Sequence, residues 1–273
     1  PEVARKGNFA LARLSRKYPQ VVLAAQYTVG EAVTLGGFRQ FPLLRLGFTD
    51  RSRNDVPELP EHPMVNPVSS ATIGLIDIDY ETGGDEVPRW AALFAESNGP
   101  TYWHLALQLA ALELGVAPGS FRRAGDFVEI VASDESVIRR IPVRHQQLLE
   151  ANWFSEWHSN LNPRTSLADV LIAGEMLASG DEAKIAEAKA YFQRFAGAII
   201  LVGPTDPLLQ DLAITPYDAY PVPKVGVHGN LVKTIVGERY LTRVPSKIMW
   251  AMVFGLTFAV AGLSVSGGAR SLF

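Results

Sequence analysis

The 273-residue chain contains no cysteine. Disulfide bridges and thiolate metal sites are therefore excluded, and the redox state of the compartment stays undecided. An excess of charge of one sign is also absent. The formal net charge is -3, and the largest basic group is a short patch at Arg13, Arg16 and Lys17. Proteins that bind nucleic acid usually carry a broad basic face, so we do not expect nucleic acid as a partner.

Motifs that carry chemistry are absent as well. The chain has no GxxxxGK(S/T) phosphate loop, no GxGxxG fingerprint after a strand and no GxSxG nucleophile elbow. No histidine shows the HxxxH or HExxH spacing of metal ligands. The five histidines are His62, His104, His145, His158 and His228. These absences predict a protein with no catalytic residue, no cofactor and no metal site.

Three weaker candidates for ligand contact remain. Residues Gly203–Asp206 follow an apolar run, where open α/β sheets often bind ligands, but Pro204 removes a backbone donor there. Asp77 and Asp79 share one face of a predicted strand and either bind a cation or are simply solvated. The aromatic segment Asn152–His158 (NWFSEWH) either stacks on a ligand or packs in the fold. For each, the structural role is the commoner one.

Long apolar runs are missing except for one. Ile248–Val265 (IMWAMVFGLTFAVAGLSV) carries no charge and no proline, and it would cover about 27 Å as a helix, close to the thickness of a bilayer core. Thr257 and Ser264 are too few to form the polar stripe of a core helix. We therefore predict one transmembrane helix over residues 246–266. Its predicted bilayer anchors are Lys247, Trp250, Phe254, Leu256 and Phe258. Its small residues, which would permit close helix contact, are Ala251, Gly255, Ala259 and Gly262.

The flanks of this helix bear on topology. Arg243 and Lys247 precede it and Arg270 follows it, so a count of positive charges favours a cytoplasmic domain. Residues 1–19 are charged and amphipathic, unlike a signal peptide. We expect a main domain at residues 1–245, the helix at 246–266 and a tail at 267–273, with no room for an effector domain after the helix.

Strand and helix signals alternate along residues 1–245. Apolar or paired runs predict strands at Val21–Ala25, Ala71–Tyr80, Phe127–Val131, Val137–Val143 and Ala198–Val202. Helical spacing predicts helices at Arg5–Lys17, Thr101–Leu114, Ser166–Ile172 and Asp181–Phe195. Thr28–Pro67 is expected to be a surface excursion that contains a hairpin. The alternation predicts an α/β fold whose sheet is mostly parallel or mixed and is flanked by helices.

The segment Val225–Asn230 (VGVHGN) admits two interpretations. His228 can change its charge near neutral pH, which suits a ligand site. Alternatively the segment is a strand: Val225 and Val227 enter the core, while His228 and Asn230 form hydrogen bonds with nearby backbone groups. We favour the structural interpretation, because no second titratable group lies close in sequence to poise the histidine.

The last third of the chain carries a more specific pattern. Gly197–Val202 (GAIILV) leads through VGPTDPLLQDLAITP to VGVHGN, shortly before the apolar helix. This order resembles the type-two CHASE domain, the extracytoplasmic sensory module of bacterial cyclases and histidine kinases. The residues that match its motifs are Gly203, Asp211, Thr215, Pro216, Gly226, His228 and Asn230. Gly229 stands where that family usually has alanine.

The resemblance implies a bacterial inner-membrane protein whose main domain lies on the periplasmic side, in contrast to the charge count. The chain departs from the pattern in showing no initial membrane helix, one later membrane helix instead of several, and no output domain. Two functions follow. One is a non-enzymatic accessory or structural subunit of a membrane complex, such as a respiratory or photosynthetic assembly, with integral membrane subunits and the lipid bilayer as partners. The alternative is a sensory module that binds a small ligand and signals through a separate or removed effector. The missing output favours the accessory subunit.

Overall fold

The structure, a computed structural model, describes residues 14, 17–28, 43–46, 72–76, 87–96, 101–209, 211–241, 244 and 246–270. The chain divides into two compact units, Pro1–Tyr240 and Leu241–Phe273. Among the described residues, the first unit holds twelve strands and four α-helices, and the second holds one long helix. The predicted helix at Arg5–Lys17, the acid pair Asp77 and Asp79, and His62 fall outside the described residues, apart from Leu14 and Lys17.

The first sheet has β1 (Val22–Thr28) at its centre. β2 (Leu43–Leu46) pairs with β1 in antiparallel fashion, and β3 (Thr72–Leu75) pairs with it in parallel. Leu23 and Leu75 are buried, as the apolar runs in this part of the sequence predicted. The hairpin predicted within Thr28–Pro67 lies outside the described residues, apart from β2.

The other described strands pair only in antiparallel fashion. They are β4 (Trp90–Ala92), β5 (Phe94–Glu96), β6 (Thr101–Trp103), β7 (Phe121–Ala124), β8 (Phe127–Val131), β9 (Val137–Pro142), β10 (Leu148–Glu150), β11 (Leu212–Ala213) and β12 (Val222–Pro223). The fold is therefore mixed α/β with several small sheets. Of the two predicted arrangements, mostly parallel or mixed, the sheet around β1 is mixed, and no sheet of the described strands is mostly parallel. Many connections are too short for the crossover that parallel strands need: Gly125, at φ 64°, and Asp126 alone join β7 to β8.

The most buried helix is α1 (Leu105–Glu113), in which every residue from Leu105 to Ala111 is buried. The sequence predicted a helix from Thr101, but residues 101–103 form β6, since threonine and aromatic residues favour strands. His104 then caps the helix: its Nδ1 accepts a hydrogen bond from the Ala106 N–H at 3.1 Å.

A helical hairpin follows the small sheets. α2 (Leu167–Ala178) and α3 (Glu182–Gln193) pack on each other, with Ser166 and Asp181 as their N-caps. Both helices confirm the sequence predictions, although α2 extends beyond Ile172. Ala173 and Ala188 are their only fully buried residues. The hairpin therefore contributes little to the main core.

Two predicted strands in the last third of the first unit are wrong. Residues Ala198–Val202 form no strand: Ile199 and Leu201 pack against the core, but no neighbouring strand pairs with them. The segment Val225–Asn230 is the first half of α4 (Val225–Val236), which packs along α1. Glycine lowers helix propensity, so the two glycines in this segment masked the helical pattern.

The second unit contains α5 (Ser246–Arg270), a helix of 25 residues. Its window Lys247–Ser264 has a mean hydropathy of 1.6, and none of that window is buried. By length and composition α5 is a candidate membrane span. The core helix of a soluble protein passes the same test of length and composition.

Candidate functional site: the polar face of α4

Three of the predicted motif residues, Gly226, His228 and Asn230, lie on α4. This helix buries apolar side chains, Val227, Leu231 and Ile235 among them, but three polar residues are buried beside them. These are His228, Asn230 and Thr234. We call this set, with the groups that contact it, the polar face of α4. Buried polar groups lower stability unless they are hydrogen-bonded, so the partners of each one matter.

Two motif glycines permit close packing at the start of α4. A Cβ atom on Gly226 would lie 2.8 Å from Cε3 of Trp157, and one on Gly203 would lie 2.8 Å from Cβ of Val225. Real Cβ atoms do not approach other carbons so closely, so both positions require glycine unless a neighbour moves. Gly203 is thus a packing residue, which fits the structural role that we favoured from the sequence over ligand contact for residues 203–206.

The motif residue Thr215 holds the aromatic segment through Asp218. Thr215 Oγ1 donates a hydrogen bond to Asp218 Oδ2 at 2.6 Å, and Asp218 Oδ1 accepts one from the Trp157 N–H at 3.0 Å. The neighbouring motif residue Pro216 is exposed. Asp211 lies 3.7 Å from the Lys224 ammonium, and its carbonyl accepts the Lys224 N–H at 3.0 Å. These contacts fix the chain that enters α4.

The aromatic segment itself is fastened along α4. Asn230 Oδ1 accepts the Phe154 N–H at 3.3 Å, and its Nδ2 donates to the Gly226 carbonyl at 3.0 Å. One turn later, Thr234 Oγ1 accepts the Asn152 N–H at 3.3 Å. The interpretation of this segment as packing fits these bonds, as does the predicted structural role of Asn230.

The third polar residue of this face, His228, lacks such a hydrogen bond at one of its ring nitrogens. His228 has an Nδ1 atom that is buried without a hydrogen-bond partner. Its ring lies beside that of His104, with the ring centroids 5.5 Å apart and the planes inclined by 41°. The Nε2 atom of His104 is likewise buried without a partner. The hydrogen bonds that we predicted from His228 to nearby backbone are therefore absent on the Nδ1 side.

Both rings are held in their neutral form. Burial, and then repulsion by the Lys224 ammonium, lowers the pKa of His228 to about 4. Burial, and then the charge on His228, holds the pKa of His104 well below its usual range. A second titratable group was sought close to His228 in sequence, whereas the fold places His104 against it in space. No spacing rule could have revealed this pair, since its members lie in different helices far apart in sequence.

The pair is a poor metal site. Nδ1 of His104 accepts the Ala106 N–H, so the hydrogen of the neutral ring sits on Nε2, which then has no lone pair for a metal. Within the part of the chain that the structure describes, no three side chains of His, Asp or Glu converge as metal ligands. His145 and His158 are exposed and belong to no such group, and His158 Nδ1 lies 2.9 Å from Arg164 Nη1.

The predicted membrane residues all lie on α5. The anchors Lys247, Trp250, Phe254, Leu256 and Phe258 have exposed side chains. The small residues Ala251, Gly255, Ala259 and Gly262 are exposed too, and nothing lies within 4 Å of a Cβ built on either glycine. The helix therefore offers a surface on which lipid or another membrane helix can pack, and its small-residue face stays a prediction.

These features define a mixed α/β domain with a buried polar face on its last helix, followed by a candidate membrane helix. A family model described as the CHASE2 domain matches residues 3–268. The chain belongs to the CHASE2 domain family, as the resemblance of its last third predicted. CHASE2 is an extracytoplasmic sensory domain and not a catalytic one. No curated protein and no solved structure gives a significant match to the chain.

Proposed function

We propose that this chain is a sensory input module, with its CHASE2 domain outside the cytoplasmic membrane and α5 as the anchor that carries the signal to an effector. The observation that carries the proposal is the polar face of α4. This helix belongs to the domain core, yet residues 237–245 alone separate it from α5. A change in the position of α4 within the domain core is therefore transmitted through this short connection towards the membrane helix.

The contacts of α4 suit such a change. Asn230 and Thr234 fasten one side of the helix to the aromatic segment through hydrogen bonds of modest strength, each worth about 0.5–1.5 kcal/mol. The opposite side packs on α1 and includes a histidine pair with unpaired nitrogens. A ligand that favours one arrangement of these bonds shifts the population by its difference in affinity for the two states.

A reporter chimera tests this function. The chain is joined after α5 to a cytoplasmic histidine-kinase module that drives a transcriptional reporter, and output is measured across media of different composition and pH. We expect output to change with at least one condition. Asn230→Ala should blunt the change because it removes two bonds of α4, whereas Lys189→Ala, on the exposed surface of α3, should leave it intact. A constant output from a folded, membrane-inserted chimera in every condition would contradict the sensory function.

The second candidate function is the accessory subunit of a membrane protein complex. The exposure of α2 favours it: Leu167 is 59%, Leu171 61% and Ile172 55% exposed. Apolar side chains grouped on one surface are typical of a contact with another protein. In this case the partner would be the extracytoplasmic part of an integral membrane subunit.

Purification from native membranes in mild detergent separates the two functions. An accessory subunit should migrate with a large complex in fixed stoichiometry, and Leu171→Glu should detach it. A sensory module should migrate as the free chain or with a signalling protein. Under either proposal, we expect no enzymatic turnover by this chain.

A further inference from the structure

The two histidines between α1 and α4 pose an energetic question. Both rings are nearly or completely inaccessible, with His104 0% and His228 6% exposed. Each leaves one ring nitrogen without a partner, in a protein whose other buried polar groups on α4 are hydrogen-bonded. An unpaired buried nitrogen costs free energy, and a leucine or phenylalanine of similar size would avoid that cost. Such a cost points to a use for the imidazole itself.

We propose that His104 and His228 form a proton-binding site, and that protonation of this pair by acid outside the membrane releases α4 from α1. The inference rests on the proposed sensory function and names its ligand as the proton. An imidazole is the side chain best suited to this ligand, because its charge changes within the pH range that a bacterium meets outside its cytoplasm.

Protonation of His104 would undo the start of α1. The neutral ring caps the helix by accepting the Ala106 N–H on Nδ1. A protonated imidazole is a donor at both nitrogens and can no longer accept that bond. The cation would also sit at the positive end of the α1 dipole, which disfavours it further. One proton therefore removes a cap and places a repelled charge in the core.

Protonation of His228 acts on the other side of the interface. His228 lies in the first half of α4, close to the positive end of that helix, and the Lys224 ammonium repels an added charge. With both rings charged, two cations would face each other at a centroid distance of 5.5 Å in a buried site. Separation of α4 from α1 relieves this repulsion by admitting water.

No carboxylate offsets these charges on the helices that carry the pair. On α1 the only ionisable residue is Glu113, at the opposite end of the helix and about 13 Å from His104 along the axis. On α4 the charged residues are Lys224 at its start and Lys233 in its last turn. Of the strands packed against these helices, β3 and β12 carry no titratable residue, and β1 carries one, Tyr27. Among the described residues, the charges that shift the pKa values of the two rings are that of His228, acting on His104, and that of Lys224, acting on His228, and both are positive.

Hydrogen exchange of the full chain in lipid nanodiscs tests the inference, with protons as the only ligand varied. Amide protection of α1 and α4 is measured at pH 7, 6 and 5 and corrected for the intrinsic exchange rate. Since the pKa of His228 is about 4 in the fold, its protonation alone should raise the opening equilibrium of α4 about 20-fold between pH 7 and pH 5. Protection of α2 and α3 should change less.

Matched variants assign the effect to the pair. His228→Gln should reduce the pH response of α4 to the part that His104 contributes, and the double variant His104→Asn with His228→Gln should remove it, because asparagine keeps the cap without titrating. His145→Asn, on the surface, should respond like the parent. If either variant fails to fold, nuclear magnetic resonance of the two imidazole rings in the parent chain is measured instead. Both rings should be neutral at pH 6.

The outcomes are separate from those of the reporter chimera. Protection of α4 that stays constant from pH 7 to pH 5, or that falls equally in the double variant, overturns the proton site. Such a result leaves the sensory function open to other ligands, which the reporter detects. A pH-dependent α4 in a chain whose chimera never responds would instead overturn the sensory function and retain the proton site.

Discussion

Two glycines three residues apart on α4 provide a sharp test of how the helix is seated. Gly226 belongs to the family motif, and a Cβ there would lie 2.8 Å from Cε3 and 2.9 Å from Cζ3 of Trp157. Gly229 replaces the alanine that the family usually has, and a Cβ there would lie 3.5 Å from Cδ1 of Leu201, an ordinary contact. The same substitution should therefore have opposite signs at the two positions.

The magnitudes follow from these distances. Gly229→Ala should stabilise the domain by about 0.5–1 kcal/mol, because alanine has the higher helix propensity and needs no rearrangement. Gly226→Ala gains part of the same propensity, but it forces Trp157 to move, and overpacking of this kind costs about 1–3 kcal/mol. We expect a net loss of about 1–2 kcal/mol. Asp218 adds to the cost because it holds the backbone of Trp157 in place.

Urea unfolding of the full chain in a mild detergent, followed by tryptophan fluorescence and circular dichroism, measures both changes. Gly229→Ala should raise the unfolding midpoint and Gly226→Ala should lower it. In a chain that carries Trp157→Leu, Gly226→Ala should lower stability less than it does in the parent chain. The packing argument would be refuted if Gly226→Ala were as stable as the parent, or if Gly229→Ala lost more than 0.5 kcal/mol, roughly the range of neutral surface changes.

Three further predictions concern pH and the membrane. Because the pKa of His228 is lowered to about 4 in the fold, the unfolded chain binds the proton at a higher pH than the folded chain does. The contribution of His228 to the free energy of unfolding is complete above pH 6.5 and should fall by about 1.4 kcal/mol per pH unit towards pH 4. Urea unfolding at several pH values measures this fall. His228→Gln should make this slope shallower and leave the contribution of His104, and an unchanged slope would contradict the prediction. Replacing Phe254 and Leu256 together by lysine should release the chain from membranes into the soluble fraction, since each central charge costs about 2.5–3.5 kcal/mol; full retention would contradict a single span. Protease added to intact spheroplasts should degrade the domain, and protection until lysis would place it in the cytoplasm.

Local signals in the sequence were sufficient for several elements. Asp181 precedes a helical pattern and caps α3, and Ser166 does the same for α2. The strands at Phe127–Val131 and Val137–Pro142 pair as the intervening turn residues predicted. In each case the interactions that decide the structure lie within a few residues of one another. Interactions between residues close in sequence are then enough to predict the element.

Tertiary contacts decided the elements that sequence patterns missed. Ala198–Val202 has the composition of a buried strand, but a strand also needs a partner, and composition does not reveal one. Gly226 and Gly229 disfavour a helix locally, yet α4 forms because its apolar face is buried against α1. Glycine at 226 is a consequence of Trp157, a residue 69 positions away by sequence number. Only the folded chain shows why it is there.

The same reasoning separates the motif residues by what they do. Gly203 and Gly226 allow close approach, Thr215 holds the chain that fixes Trp157, and Asn230 bonds to the aromatic segment. Each has a contact that explains its residue type. His228 is the exception, because its Nδ1 is buried without a partner beside a second such ring. An apolar side chain would serve a packing role better, so packing does not explain an imidazole at this position. We therefore expect the chemical function of this domain to involve His228.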